Sequence, residues 1–373
     1  MQIIFAKQVL FIFLLLAMTQ GLISCDSGQK QMEGIVHTFE KLDAERQKSV
    51  QSERLVNTFR ANGQFHVADV VWCGDNNTIV SSGGTDTSVL LWDAQHGEIL
   101  RTLERVAGSR AIACGGNGKF VVSGNSNKEL GNDVRVWDVS QASVVTNIAG
   151  PFPPLDGRSD SFVKSLIFNR DSTLLYAHYM NRKSEHRLVL YEVPSWKVVG
   201  DFALPGRPDA KPALSAKGHL YAYGLGSRDI AVVDALSGVE KLRFRSEELL
   251  PSVLAFGHDD KTIFVGGQRL YSRPHQGMPE QVVEERRLPD GKLLRSIKTG
   301  HIEKLSAMNL SPKSAFLITA SGDKTIELRN AESGALITTQ GDKTNQIYSV
   351  DIRPDGKQFA TASGGAVNIW ALQ

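Results

Sequence analysis

From residue 54 to the C-terminus the chain alternates apolar and polar positions in short runs, and each run ends at Gly, Asp, Asn, Ser or Pro. Period-two alternation broken by such residues predicts short strands joined by tight turns. The runs recur. Seven stretches share one layout: VLLWDA, DVRVWDV, RLVLYEV, IAVVDA, QVVEERRL, TIELRNA and AVNIWAL. Marker residues within them are Trp92, Trp137, Tyr191, Val233, Arg287, Arg329 and Trp370, at intervals of 45, 54, 42, 54, 42 and 41. Before each stretch lies a turn of the type GDNN, GGNGK, NRDS or RPDGK, and after most of them one of the type AQHGE, ALSGV or AESGA. These are the residues that hairpins need for left-handed or turn dihedrals. A self-similar period of this length predicts one supersecondary unit stacked many times. The expected class is all-β, with seven antiparallel units of four strands each.

The pattern resembles that of WD-repeat β-propellers. Trp92-Asp93 and Trp137-Asp138 are the dipeptide itself, and Gly300-His301 with SGDKTIEL (321–328) is the best Gly-His to Asp match. The resemblance spans about 320 residues and implies a seven-bladed β-propeller of four-stranded antiparallel blades. It also implies a buried structural network of His301, Ser321 and Asp323 in one blade, where Arg329 stands in place of the Trp. The last stretch, AVNIWALQ, stops at a third strand. An N-terminal strand, RLVNTF (54–59), is expected to complete the last blade and so close the ring.

Residues 1–24 differ. Val9 to Met18 is almost wholly apolar, about the length of a signal-peptide core and too short for a comfortable membrane span. Leu22-Ile23-Ser24-Cys25 resembles the lipobox of bacterial lipoproteins. That resemblance implies cleavage before Cys25 and lipidation of its sulfur; an ordinary secretory signal or an uncleaved anchor is the alternative. The expected organisation is a lipoprotein signal peptide at 1–24, a lipid-anchored tether at 25–53 and the propeller at 54–373. Ile35, Phe39 and Leu42 fall at helical spacing in the tether, consistent with a short helix that either docks a partner or acts as a spacer. In enterobacterial lipoproteins an Asp after the lipidated Cys marks retention in the inner membrane, and Asp26 occupies that place. The periplasmic face of the inner membrane is the expected location, and the outer membrane the alternative.

Charge changes little in this picture. Without residues 1–24, which hold only Lys7, the chain carries 41 basic and 40 acidic residues. A balance this close provides no broad field for nucleic acid, so none is expected as a partner. Cys73 and Cys114 sit at the same place in adjacent repeats, VVWCGDN and AIACGGN. Neighbouring blades diverge, so their Cα atoms are expected beyond the roughly 7 Å that a disulfide tolerates, leaving two small buried residues. There is no HExxH, GxSxG, zinc-spaced Cys pair or phosphate-binding glycine loop. No catalytic residue, metal site or cofactor is therefore assigned.

Insertions carry the remaining signal. NSNKELGN (125–132), GPFPPLDGRSDS (150–161), NRKSEH (181–186), LPGRPDA (204–210) and RLYSRPHQGMPE (269–280) all fall on one face of a propeller. They hold Phe152, Arg158, Arg182, His186, Arg207, Tyr271, Arg273 and His275. Arg and Tyr beside apolar residues are the types that anchor interfaces. The reading is a membrane-tethered, non-catalytic propeller that binds a protein partner in the bacterial cell envelope. Its rivals are a propeller enzyme with a metal or cofactor at the tunnel mouth, and a subunit of an envelope-assembly complex.

Overall fold

The computed structural model describes residues 55–60, 67–83, 89–103, 111–124, 133–206, 209–226, 228–270, 280–312, 315–342 and 345–372. The calls on Cys25, Asp26, the signal peptide and the tether lie outside the described residues. Seven four-stranded antiparallel sheets form the blades of a propeller. Their inner strands are Val67–Trp72, Ala111–Gly115, Phe162–Phe168, Ala213–Leu214, Leu249–Phe256, Leu305–Leu310 and Ile347–Ile352, in blades 1 to 7. Leu55–Arg60 pairs with Ala366–Ala371 and is the outer strand of blade 7, so both chain ends share one sheet.

Burial follows position in the blade. Middle strands are covered on both faces by the neighbouring blades, so they read as near-continuous apolar or small residues: Thr78–Gly83 is buried at every position. Outer strands have one covered edge; in Ile99–Leu103 only Leu103 is buried. The core is a set of layers between blades. Phe120, Val122 and Val136 of blade 2, for example, pack on Leu175, Ala177 and Tyr179 of blade 3. Each such layer joins neighbouring blades, close in sequence except between blades 7 and 1, where Phe59 and Val67 pack with Ala360 and Val367.

The inner strands share a further device. In blades 1, 3, 5, 6 and 7 their pairing with the second strand shifts by one residue near the start. The residues left without a pairing partner are Ala68, Lys164, Ser252, Ser306 and Tyr348. A bulge of this kind re-aims a side chain and bends the strand. Here it lies beside the central tunnel.

Two expectations are corrected. Cys73 and Cys114 form a disulfide, with Cα atoms 5.2 Å apart. Blades diverge outward from the axis, but these cysteines lie at the inner strands, where adjacent blades are closest. Their side chains join the buried layer between blades 1 and 2. The second correction is one of register. Ile263 pairs with Arg286, as Ile79 pairs with Trp92 and Leu317 with Arg329. Arg286, and not Arg287, is thus the blade 5 counterpart of the Trp. In the run EERR alternation alone does not say which charge turns inward.

Candidate binding faces

Residues 150–161 form a built structure. Leu155 and Arg158 exchange backbone hydrogen bonds of 2.9 and 3.0 Å across Asp156 and Gly157, whose φ angles are 52° and 70°. Two successive left-handed residues make the tight hairpin turn that Asp-Gly favours. Its base is tied down. Asp133 accepts the Gly150 N–H at 2.7 Å and the Ser159 hydroxyl at 2.5 Å. Ser161 Oγ accepts the Phe152 N–H at 3.2 Å. A Cβ at Gly150 would come within 2.3 Å of Ser161, so the base closes only around glycine. The tip, Pro153 to Arg158, is exposed, and Leu155 presents an apolar side chain to solvent.

Other loop residues have different surroundings. Phe152 is half-buried and packs on the layer between blades 2 and 3. Arg182 pairs with Asp160, Nε to Oδ1 at 3.4 Å, which holds the 181–185 loop to the base of the hairpin. His186 is not on the surface, as the insertion reading had it. It is 4 % exposed, and its Nδ1 shares a 3.0 Å hydrogen bond with His178 Nε2. His178 Nδ1 in turn meets the Tyr221 hydroxyl at 3.1 Å. Burial pushes both imidazoles down, His178 to about 3 and His186 to about 4. Arg207, Tyr271, Arg273 and His275 lie outside the described residues.

His301 is engaged on both nitrogens. Nδ1 meets Thr325 Oγ1 at 2.8 Å and Nε2 meets Thr319 Oγ1 at 2.9 Å, with Asp323 3.6 Å from Nδ1. Asp323 accepts the Ile302 N–H at 2.7 Å and the Thr325 hydroxyl at 2.5 Å. Ser321 does not touch the imidazole; it donates to the Glu303 carbonyl at 2.9 Å. The hydroxyl opposite His301 is that of Thr319, two residues earlier on the strand. This group joins the loop entering blade 6 to its middle strands and leaves His301 no free nitrogen for a ligand.

The inner strands enclose a tunnel with a chamber of about 870 Å³. Its wall includes Asp69 of blade 1, Lys164 of blade 3, Lys211 at the start of blade 4 and Asp351 of blade 7. The sequence reading missed all four. Asp69 accepts the Ser349 hydroxyl at 2.5 Å, and Asp351 accepts the Trp72 N–H at 2.8 Å and the Asn309 amide at 3.2 Å. These carboxylates therefore clasp neighbouring inner strands. Lys211 Nζ reaches the Tyr348 carbonyl of blade 7 at 2.9 Å, which carries it across the tunnel. Burial raises Asp69, a trend that Lys211 and Ser349 oppose, and raises Asp351 to about 7. Among the described residues no group of three or more His, Cys, Asp or Glu is placed to hold a metal ion.

Three stretches, residues 53–93, 291–330 and 334–371, match the WD domain, G-beta repeat. They fall on the closing strand and the first three strands of blade 1, on the last strand of blade 5 with the first three of blade 6, and on the last strand of blade 6 with blade 7. Together with the seven blades, these repeats make the chain similar to WD-repeat propellers, whose usual role is to hold protein partners. No curated protein matches the chain.

Proposed function

We propose that this protein is a lipid-anchored, non-catalytic propeller that holds a protein partner on its loop-rich face in the bacterial cell envelope. The observation that carries the reading is the 150–161 hairpin: a pre-formed tip with Leu155 and Arg158 exposed on an anchored base. Pre-ordered loops lose little entropy on binding, and Arg beside an apolar side chain suits an interface anchor. WD repeats in three places agree with a scaffold role. Export is supported by the Cys73–Cys114 disulfide, since such bonds persist in oxidising compartments and are rare in the cytosol. Cys25 would carry the lipid, and Asp26 favours the periplasmic face of the inner membrane.

The test is capture of the partner from detergent-solubilised membranes by the full-length protein. The double variant Leu155→Ala, Arg158→Ala should weaken capture at least about tenfold while leaving the melting temperature nearly unchanged. Lys292→Ala with Lys357→Ala, on the turns of the opposite face, should leave capture intact. Loss of capture in the lysine pair but not in the hairpin pair would place the interface on the wrong face. A protein found mainly in outer-membrane fractions of a sucrose gradient would overturn the inner-membrane assignment.

A further inference from the structure

The tunnel chamber has an uneven supply of hydrogen-bonding groups. Its carboxylates are used by the fold: Asp69 and Asp351 accept from Ser349, Trp72 and Asn309. Its lysines are used less fully. Lys211 gives one N–H to the Tyr348 carbonyl and is attracted to the Asp69 carboxylate, with no second hydrogen bond among the described residues. Lys164 has neither a hydrogen bond nor an ion pair to any described residue, and its position on the bulge of the blade 3 inner strand puts it at the wall. Around these cations the wall alternates apolar side chains, such as Val71, Ile167, Leu254 and Met308, with polar ones such as Ser165, Asn169 and Ser215.

We propose that this chamber is a binding site for a small organic anion, a carboxylate with an apolar body, anchored by Lys164 and Lys211. The carboxylate would take the N–H groups that the protein leaves unused, and charge-assisted bonds of this kind are about twice as strong as neutral ones. The apolar body would lie against the aliphatic wall, as in most small-molecule sites. Burial supports the sign of the ligand. It pushes Asp351 to about 7, which reduces the negative charge that this group turns towards an incoming anion at neutral pH. The chamber reaches the face of the first-to-second-strand turns, at Gly74, Asn117, Ser172 and Pro354. At its other end it meets the starts of the inner strands, at Ala68, Lys164 and Lys211, but none of residues 150–161 lines it, so anion binding and partner capture are tested through different residues.

Calorimetric titration of the full-length protein in lipid nanodiscs, with benzoate and its neutral isostere benzamide, tests this. Benzoate should bind saturably with a Kd on the order of 1 mM, reasonable for so small a ligand, and benzamide at least about tenfold more weakly. Lys164→Met and Lys211→Met should each weaken benzoate at least about tenfold. Lys164 makes no contact that the fold requires, so its variant decides the matter even if Lys211→Met fails to fold. Equal binding of benzoate and benzamide, no saturable binding of benzoate, or full affinity in Lys164→Met would overturn the proposal. Inorganic phosphate binding as tightly as benzoate would overturn the organic part of it.

Discussion

At the scale of single residues, the turn between third and fourth strands repeats one backbone conformation. Gly97, Ala142, Trp196, Gly238, Gly291 and Gly334 all have φ between 50° and 75°. Glycine adopts that region freely, whereas a Cβ there costs about 1 kcal/mol. Ala142 is exposed, so burial of its methyl offsets little of the strain. Ala142→Gly is expected to raise stability by about 0.5–1 kcal/mol, read as a higher melting temperature. Trp196 differs, because its ring packs edge-on against Phe120 at 5.3 Å, so the same exchange there should not help. The His178–His186 pair makes a second prediction at this scale. Both imidazoles titrate below their ordinary 6.5, so the folded state favours their neutral forms. Their contribution is full above pH 6.5 and is lost as pH falls towards 4 and then 3. Lys164 adds to the same trend in both. His186→Gln should flatten the acid side of a stability-against-pH curve; an unchanged slope would count against this account.

Among elements, the blades solve one problem in several ways. Where the third strand carries Trp, the indole N–H reaches a hydroxyl on the second strand: Trp92 to Ser81 at 2.8 Å, Trp137 to Ser123 at 3.2 Å, Trp370 to Thr361 at 2.9 Å. Blade 3 uses Tyr191 against Tyr179 at 3.0 Å. Blades 5 and 6 use a buried ion pair instead. Arg286 bonds Glu284 and the Gly291 carbonyl, each at 2.9 Å, and Arg329 bonds Glu327 and the Gly334 carbonyl, each at 2.9 Å. Glu284 then takes the Ser246 hydroxyl at 2.8 Å and Glu327 the Gly300 N–H at 2.6 Å, so each pair also holds the loop that enters or leaves its blade. Removing one charge strands the other. Arg329→Leu alone is expected to cost about 3–5 kcal/mol in denaturant unfolding. Glu327→Leu with Arg329→Trp, which restores the pattern of blade 1, should recover most of that loss. Glu-x-Arg was visible in both repeats, but a charged pair on a strand reads as solvent-facing until neighbouring blades are seen to cover it.

For the whole molecule, closure decides stability. Leu55–Arg60 is the only outer strand supplied from the far end of the chain among the described residues, and it buries Phe59 against Trp92, with ring centroids 5.8 Å apart. It therefore ties blade 7 to blade 1. Deleting residues 54–60 should lower the stability of the entire ring by at least about 3 kcal/mol, the cost of truncating a buried Phe alone. An unchanged melting temperature would show that the strand is dispensable. The disulfide acts on the same scale, since it links inner strands of blades 1 and 2 across 41 residues. A covalent link of that kind typically contributes about 2–4 kcal/mol by limiting the unfolded chain.

The sequence by itself determined the repeat, the count of seven blades, the four strands in each and the strand that closes the ring. The first three are local signals, set by alternation, turn residues and a repeated period; the closing strand was legible because that period leaves the last blade one strand short. The 150–161 insertion was also legible, because it lengthens one interval of the repeat to 54 residues. Tertiary structure alone decided what the ring brings together. Cys73 and Cys114 meet because inner strands converge at the axis, His186 turns inward because His178 awaits it, and Lys211 crosses from blade 4 to blade 7. Contacts of this kind depend on the angle and distance between blades, and a period read along one chain carries neither.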